Sequence, residues 1–332
     1  MALPRSVFRL AHWASLLLAL SVAGGGCGST PRKKQASAPP EPYMRIVRAE
    51  PDKVSLQIAV RRFLPARGHG PEIWLVGASH VGESNYYATL QRYLDRSDLV
   101  LFEGVGANKA VKFDSQEDSS LQHTMAGALG LVFQLEAVDY DRVNFRNSDL
   151  TIAQLQRLLA GNQEEGGQKG SEAGEEFDQL LGMMDGSSTL GMLMQLGLKL
   201  IGSSAKLQAM TKIILIEALG GFSGDMAKMK GLPPAIQQLL VVIIQERNKV
   251  VLSDLTAEVA ARKKGSIAVF YGAGHMADLE KRLRTDLKYN PRSETWLTAV
   301  GVDLRQAGIS PAEMNSLRSV VQWQIDALQS SP

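Results

Sequence analysis

The chain has 332 residues, 45% of them hydrophobic and 21% charged, with a formal net charge of +2. That length allows one large domain or two small ones around a sizeable core. The near-neutral charge argues against nucleic acid as a partner, because that binding needs a clustered cationic face. The single cysteine, Cys27, excludes an intramolecular disulfide and a cysteine-based metal cage.

Residues 1–9, MALPRSVFR, carry Arg5 and Arg9, and an apolar LAHWASLLLALSVA and then GGGC follow. A basic start, a short apolar core and small residues describe a secretory signal peptide over 1–27, too short for a comfortable membrane span. The small residues leading into Cys27 resemble the lipobox of bacterial lipoproteins, with Gly24 standing where that group usually has Leu. The resemblance implies lipidation of Cys27 and anchoring to a membrane of the bacterial cell envelope. Residues 28–44, rich in Pro, Ser, Ala and Lys, read as a flexible tether, and the folded domain is expected over 45–332.

KVSLQIAVRRFLP (53–65) alternates apolar and polar residues and predicts a strand. The loop ARGHGPE leads into IWLVGAS, a second strand predicted to pair antiparallel with the first and to end on His80. A helical stretch and the apolar LVLFEG, ending on Glu103, complete a predicted βαβ unit, which requires parallel strands. Ser84 is a candidate cap for that helix or a site-lining residue.

Residues 106–120 read as loop or short helix, and LQHTMAGALGLVFQLEAVDY as a helix broken by glycines. Asn147-Ser148-Asp149 signals a helix N-terminus, with the helix expected over about 149–160. A polar, Gly-rich loop is expected over 161–175. Residues 177–245 are helical in pattern, with an insertion over about 177–230. Lys199, Lys206 and Lys212 interrupt its apolar run short of the roughly 18 residues of a span, so these helices are expected to pack over the sheet or to form a membrane-facing cap. Met192 and Met194 there read as core filler.

A helix is predicted over 231–262, and SIAVFYGAGH reads as a buried parallel strand ending on His275. MADLEKRLRTDL predicts an amphipathic helix and ETWLTAVGVDL a last strand. Ser310, Pro311 and Glu313 carry the marks of a capped helix start. The fold class is therefore α/β: a central, mainly parallel sheet flanked by helices, with a helical insertion.

Parallel strands deliver their carboxyl ends to one edge, where ligands bind in such folds. Three predicted strands end in His80, Glu103 and His275, and the two histidines share the local form G-x-x-H. Two imidazoles and a carboxylate suit a divalent metal that keeps open positions for water. They serve equally as general acid and base without a metal. Weaker candidates are His123 and the loop residues Asp139, Asp141 and Arg142, while His69 is expected in solvent.

The order I-W-L-V-G-A-S-H, V-L-F-E, Q-E-R-N and V-F-Y-G-A-G-H-M resembles the TraB/GumN superfamily across roughly residues 50–305. That superfamily includes the TIKI metalloproteases and is distantly related to erythromycin esterases and heme-binding ChaN-like lipoproteins. The resemblance implies one site holding His80, Glu103 and His275, with Glu246, Arg247 and Asn248 facing it. It further implies a divalent ion of the Mn, Co or Zn type that activates water for peptide-bond hydrolysis, with Arg247 on a substrate carboxylate or an oxyanion. The expected activity is that of a membrane-anchored, metal-dependent hydrolase, a peptidase first, acting on a peptide or small-molecule substrate. The alternative is a non-catalytic lipoprotein that binds a peptide, heme or a small signal.

Overall fold

The computed structural model describes residues 42–104, 121–160, 174, 197–220 and 234–330. The expected signal peptide, Cys27 and most of the tether lie outside these residues, as do 106–120, nearly all of 161–175 and most of the insertion with Met192 and Met194.

In chain order the fold begins with β1 (Met44–Glu50), β2 (Lys53–Pro65), β3 (Glu72–Ala78) and β4 (Val81–Gly82). Next come α1 (Ser84–Asp95), β5 (Leu99–Phe102), α2 (Leu121–Ala128), β6 (Val132–Phe133), α3 (Gln134–Ala137), β7 (Phe145–Asn147) and α4 (Ile152–Ala160). After α5 (Ala205–Gly220), a continuous helical rod is made of α6 (Pro234–Leu240), a π-helical stretch (Val241–Glu246) and α7 (Arg247–Ala261). The chain finishes with β8 (Ser266–Gly272), α8 (Ala273–Thr285), β9 (Tyr289–Asp303) and α9 (Pro311–Ser330).

The central sheet is mixed and mostly parallel, in the order β1-β2-β3-β8-β5-β7, with β9 also paired to β2. The pairs β3·β8, β8·β5 and β5·β7 are parallel. β2 is long enough to carry β9 along one edge while β1 and then β3 share the other, all antiparallel. β8 therefore lies between the two strands of the predicted βαβ unit. The register Leu75↔Val269↔Leu101 levels the three strands, so their carboxyl ends meet at one height.

The pattern of β2 explains its central place. Val54, Leu56, Ile58 and Val60 are buried on one face, and Ala59 and Phe63 on the other. The first set joins a core under α1 and α5, the second a core under α7 and α8. Burial of a Leu or Ile side chain contributes about 1.5–3 kcal/mol, so the sheet's two faces are the main source of stability. Gly77 permits the close pairing of β3 on β2: a Cβ there would lie 2.9 Å from Ile58 Cγ2 and 3.2 Å from the Ala59 carbonyl oxygen.

Several boundaries differ from the sequence reading. Tyr43 and Met44, assigned to the tether, are buried in the core. The Tyr43 hydroxyl donates to Glu280 Oε2 at 2.8 Å, and Arg61 Nη1 meets the same oxygen at 2.9 Å. The chain's entry is thus clamped to α8. The expected broken helix over 121–140 resolves into α2, β6 and α3, because Gly130, at φ +59, turns the chain back and β6 pairs with β4.

The last strand begins at Tyr289, earlier than expected, since β9 follows β2 along its whole length. α5 packs across β1, β2 and β9 with Ile213 and Ile216 fully buried, the arrangement expected for the part of the 177–245 region that is described. Among the described residues no helix is long and apolar enough to cross a membrane. Ser310 and Glu313 cap α9 reciprocally, the Ser310 N–H donating to Glu313 Oε2 at 2.8 Å and the Glu313 N–H to Ser310 Oγ at 3.3 Å.

Candidate active site

Glu103 follows β5 directly, and its backbone N–H still donates to the Phe270 carbonyl at 3.0 Å, as though the ladder ran one residue further. This holds its side chain against the start of α8, where Oε2 accepts the Gly272 N–H at 2.7 Å. Oε1 accepts from Arg247 Nη2 at 2.7 Å. A Cβ on Gly272 would lie 3.3 Å from Glu103 Oε2, so the carboxylate can lie on this backbone without crowding.

Arg247 opens α7 just after the π-helical stretch and is 5% exposed. Its fork is shared between two carboxylates: besides Glu103 it reaches Asp149, by Nε to Oδ1 at 2.9 Å and Nη2 to Oδ2 at 2.6 Å. Asp149 also accepts the backbone N–H of Gly104 (3.0 Å) and of Leu150 (2.7 Å). The sequence reading placed Asp149 as a helix start. The helix begins later, at Ile152, where Thr151 and Gln154 bond each other's backbone N–H, and Asp149 is left to pair with Arg247. Its role is non-local, so no local pattern identifies it.

His275 does not end a strand. β8 stops at Gly272, the N-cap of α8, and His275 sits in that helix's first turn with its side chain buried. Nδ1 lies 2.8 Å from Asn248 Oδ1, while Asn248 Nδ2 donates to the His275 carbonyl (3.2 Å) and to Asp278 Oδ2 (2.9 Å). The Asp278 oxygen also accepts from Arg282 Nε at 2.6 Å. Because the Asn248 amide nitrogen is committed to two acceptors, its oxygen must accept from His275. Nδ1 then carries the proton, and Nε2 presents a lone pair. Nε2 lies 3.7 Å from Glu103 Oε1, beyond a hydrogen bond but close enough to share a ligand.

Electrostatics sharpen these roles. Burial disfavours the Glu103 carboxylate, but Arg247, His275, His80 and the Gly272 N–H outweigh it and hold the group far below the usual carboxylate range. Burial pushes the His275 imidazole down to about 4, against the pull of Glu103. At neutral pH the centre therefore holds ionised Glu103 beside a neutral imidazole.

His80 lies in the bend after β3, exposed, with its carbonyl accepting the Gln134 N–H at 2.8 Å. It is within electrostatic reach of both Glu103 and His275, so it borders the site. Among the described residues no three His, Cys, Asp or Glu side chains converge as a ready-made metal cage. The chemistry of the donors suits a divalent cation at two points, the Nε2 lone pair of His275 and the Glu103 carboxylate, which lie 3.7 Å apart.

The three neighbours of the helical motif turn to different partners. Arg247 gives Nε and Nη2 to Asp149 and Glu103 and so orients the Glu103 carboxylate. Glu246 turns outward and pairs with Lys249 at 2.6 Å. Asn248 is fully buried and acts through His275.

The weaker candidates fall elsewhere. His123 pairs with Glu136. Arg142 bridges Asp139 (3.1 Å) and Asp95 (3.5 Å) at the surface, and the Asp141 N–H donates to Asp139 Oδ1 at 3.1 Å within the same turn. His69 is exposed, as expected. Ser84 is exposed in the first turn of α1, whose N-cap is Glu83, so it neither caps that helix nor faces Glu103 through any hydrogen bond among the described residues. Comparison with known protein families, with curated proteins and with solved structures finds no match to this chain.

Proposed function

We propose that the protein is a hydrolase of the cell envelope, most readily a peptidase, with its site at the carboxyl ends of β3, β8 and β5. The observation that carries this reading is the pairing of a neutral, tautomer-locked imidazole with an ionised buried carboxylate 3.7 Å away. The TraB/GumN resemblance and the lipobox-like start point the same way. A divalent ion of the Mn, Co or Zn type, when bound, would polarise the scissile carbonyl, with His275, Glu103 and His80 as its holders.

The chain's own residues supply the proton path. With no ion on its Nε2, His275 accepts a proton there from water as the water oxygen bonds the carbonyl carbon and the carbonyl electron pair moves to oxygen. On collapse the C–N bond breaks, and the same proton passes from His275 to the leaving amine. Arg247 keeps Glu103 ionised throughout, and Asn248 keeps Nε2 turned to the site.

Metal analysis of the domain from Pro42 onward, with peptide-cleavage assays, tests this reading. His80→Ala and His275→Ala should each lower bound metal and abolish cleavage. A wild-type domain that neither binds divalent metal nor cleaves peptides would reject it. The second reading, a non-catalytic binding lipoprotein, is favoured by one observation: both Glu103 oxygens are already bonded within the protein. Ligand capture without turnover would select it.

A further inference from the structure

Hydrolysis of a carbonyl needs a donor for the developing oxyanion, and Arg247, the residue expected for that task, gives its Nε and Nη2 hydrogens to Asp149 and Glu103 and turns Nη1 towards the Ile243 carbonyl at 3.5 Å. A different donor stands on the same edge. Tyr140 packs its ring against Phe102 (5.1 Å between centroids), the residue immediately before Glu103, and against Phe270 on β8 (6.2 Å). Its hydroxyl accepts from Gln134 Nε2 at 2.9 Å, and the Gln134 backbone N–H holds the His80 carbonyl at 2.8 Å. One short connection therefore ties the Tyr140 hydroxyl to the His80 bend on one side, while its ring rests on the strand ends flanking Glu103 on the other.

Among the described residues the hydroxyl's own proton has no acceptor. A phenol that accepts from an amide N–H still has one O–H to give. Gln134, in turn, is 5% exposed, and its Oε1 is buried with no hydrogen-bond partner among the described residues. A buried acceptor left without a partner keeps the full cost of its desolvation. The pair thus holds unused hydrogen-bonding capacity beside the candidate centre, as expected of groups set for a substrate rather than for stability.

We propose that Tyr140 is the site's oxyanion donor: its hydroxyl, oriented by Gln134, gives a hydrogen bond to the carbonyl oxygen of the scissile group as that oxygen gains charge. This rests on the hydrolase reading and extends it to a residue outside the His/Glu set. Burial raises the Tyr140 hydroxyl above its ordinary value, with the Glu103 charge adding to it, so the group stays protonated and serves as a donor, not as a base.

The test uses Tyr140→Phe, which keeps the aromatic packing, and Gln134→Glu, whose carboxylate would take the hydroxyl proton for itself. Each should lower kcat for peptide cleavage about 10²-fold with little change in KM, the usual effect of losing one oxyanion donor, and the double variant should lose no more than either single one. Metal content should be unchanged. Inorganic phosphate, a tetrahedral anion, titrated with Co2+ and followed by 31P NMR, should bind Tyr140→Phe at least tenfold more weakly than wild type. Equal phosphate affinity in the two proteins, or no phosphate binding by either, overturns the assignment. A wild type that binds phosphate through Tyr140 yet cleaves nothing rejects the hydrolase reading while leaving the donor in place. Should Gln134→Glu fail to fold, Tyr140→Phe decides alone.

Discussion

Arg247 and Glu103, 144 residues apart in the chain, meet through a 2.7 Å charge-assisted hydrogen bond, with Arg247 5% exposed. The same guanidinium holds Asp149, so a single cation organises two buried carboxylates at the edge where β5 and β8 end. Such an arrangement is costly to assemble and costlier to break, because removing one partner leaves the others charged and desolvated.

Arg247→Met keeps the volume of the side chain and removes the charge. It should destabilise the fold by about 3–5 kcal/mol in urea denaturation. The double variant Arg247→Met with Asp149→Asn should recover part of that loss, since one stranded carboxylate is gone. A single variant as stable as the wild type would mean that the pairing is not the organising contact described above.

Stability should rise with pH between about 4, where folded His275 titrates, and the unfolded histidine value of roughly 6.5. In that window the unfolded chain binds a proton that the folded chain refuses, so unfolding takes up protons and is favoured by acid. The contribution is complete above the upper value, is lost as pH falls towards the lower one, and is on the order of 3 kcal/mol. Glu103, held below the carboxylate range, adds a loss of the same sign below roughly pH 4.3. Urea midpoints at pH 4.5, 5.5 and 7 should show the slope in wild type and a shallower one in His275→Gln. Parallel pH profiles for the two proteins would exclude His275 as its source.

Asn248 fixes which imidazole nitrogen is free. In wild type, 15N NMR should find His275 as the Nδ1–H tautomer. Asn248→Ala removes the acceptor, and the tautomers should mix, with a stability loss of about 1–3 kcal/mol from the unpaired buried groups. Asn248→Asp keeps an acceptor for Nδ1–H and should retain the tautomer while raising the imidazole's pKa, because a negative charge now faces it. An unchanged His275 spectrum in Asn248→Ala would show that the amide is a bystander.

The amino-acid sequence by itself determined the strand-forming runs and the βαβ order, because alternation and apolar runs are local properties that report burial. The α9 cap was equally readable, as a four-residue pattern that closes on itself. The tertiary structure decided what the charged residues do. Glu246, Arg247 and Asn248 are adjacent in sequence, yet helical geometry turns Glu246 to Lys249 and solvent, Arg247 to two carboxylates, and Asn248 to an imidazole. Asp149 read as a helix start until Arg247 was beside it, and Tyr140 carried no local signal at all. Their partners lie on other strands and helices, and such contacts exist only once the sheet has brought β5, β7 and β8 to a common edge.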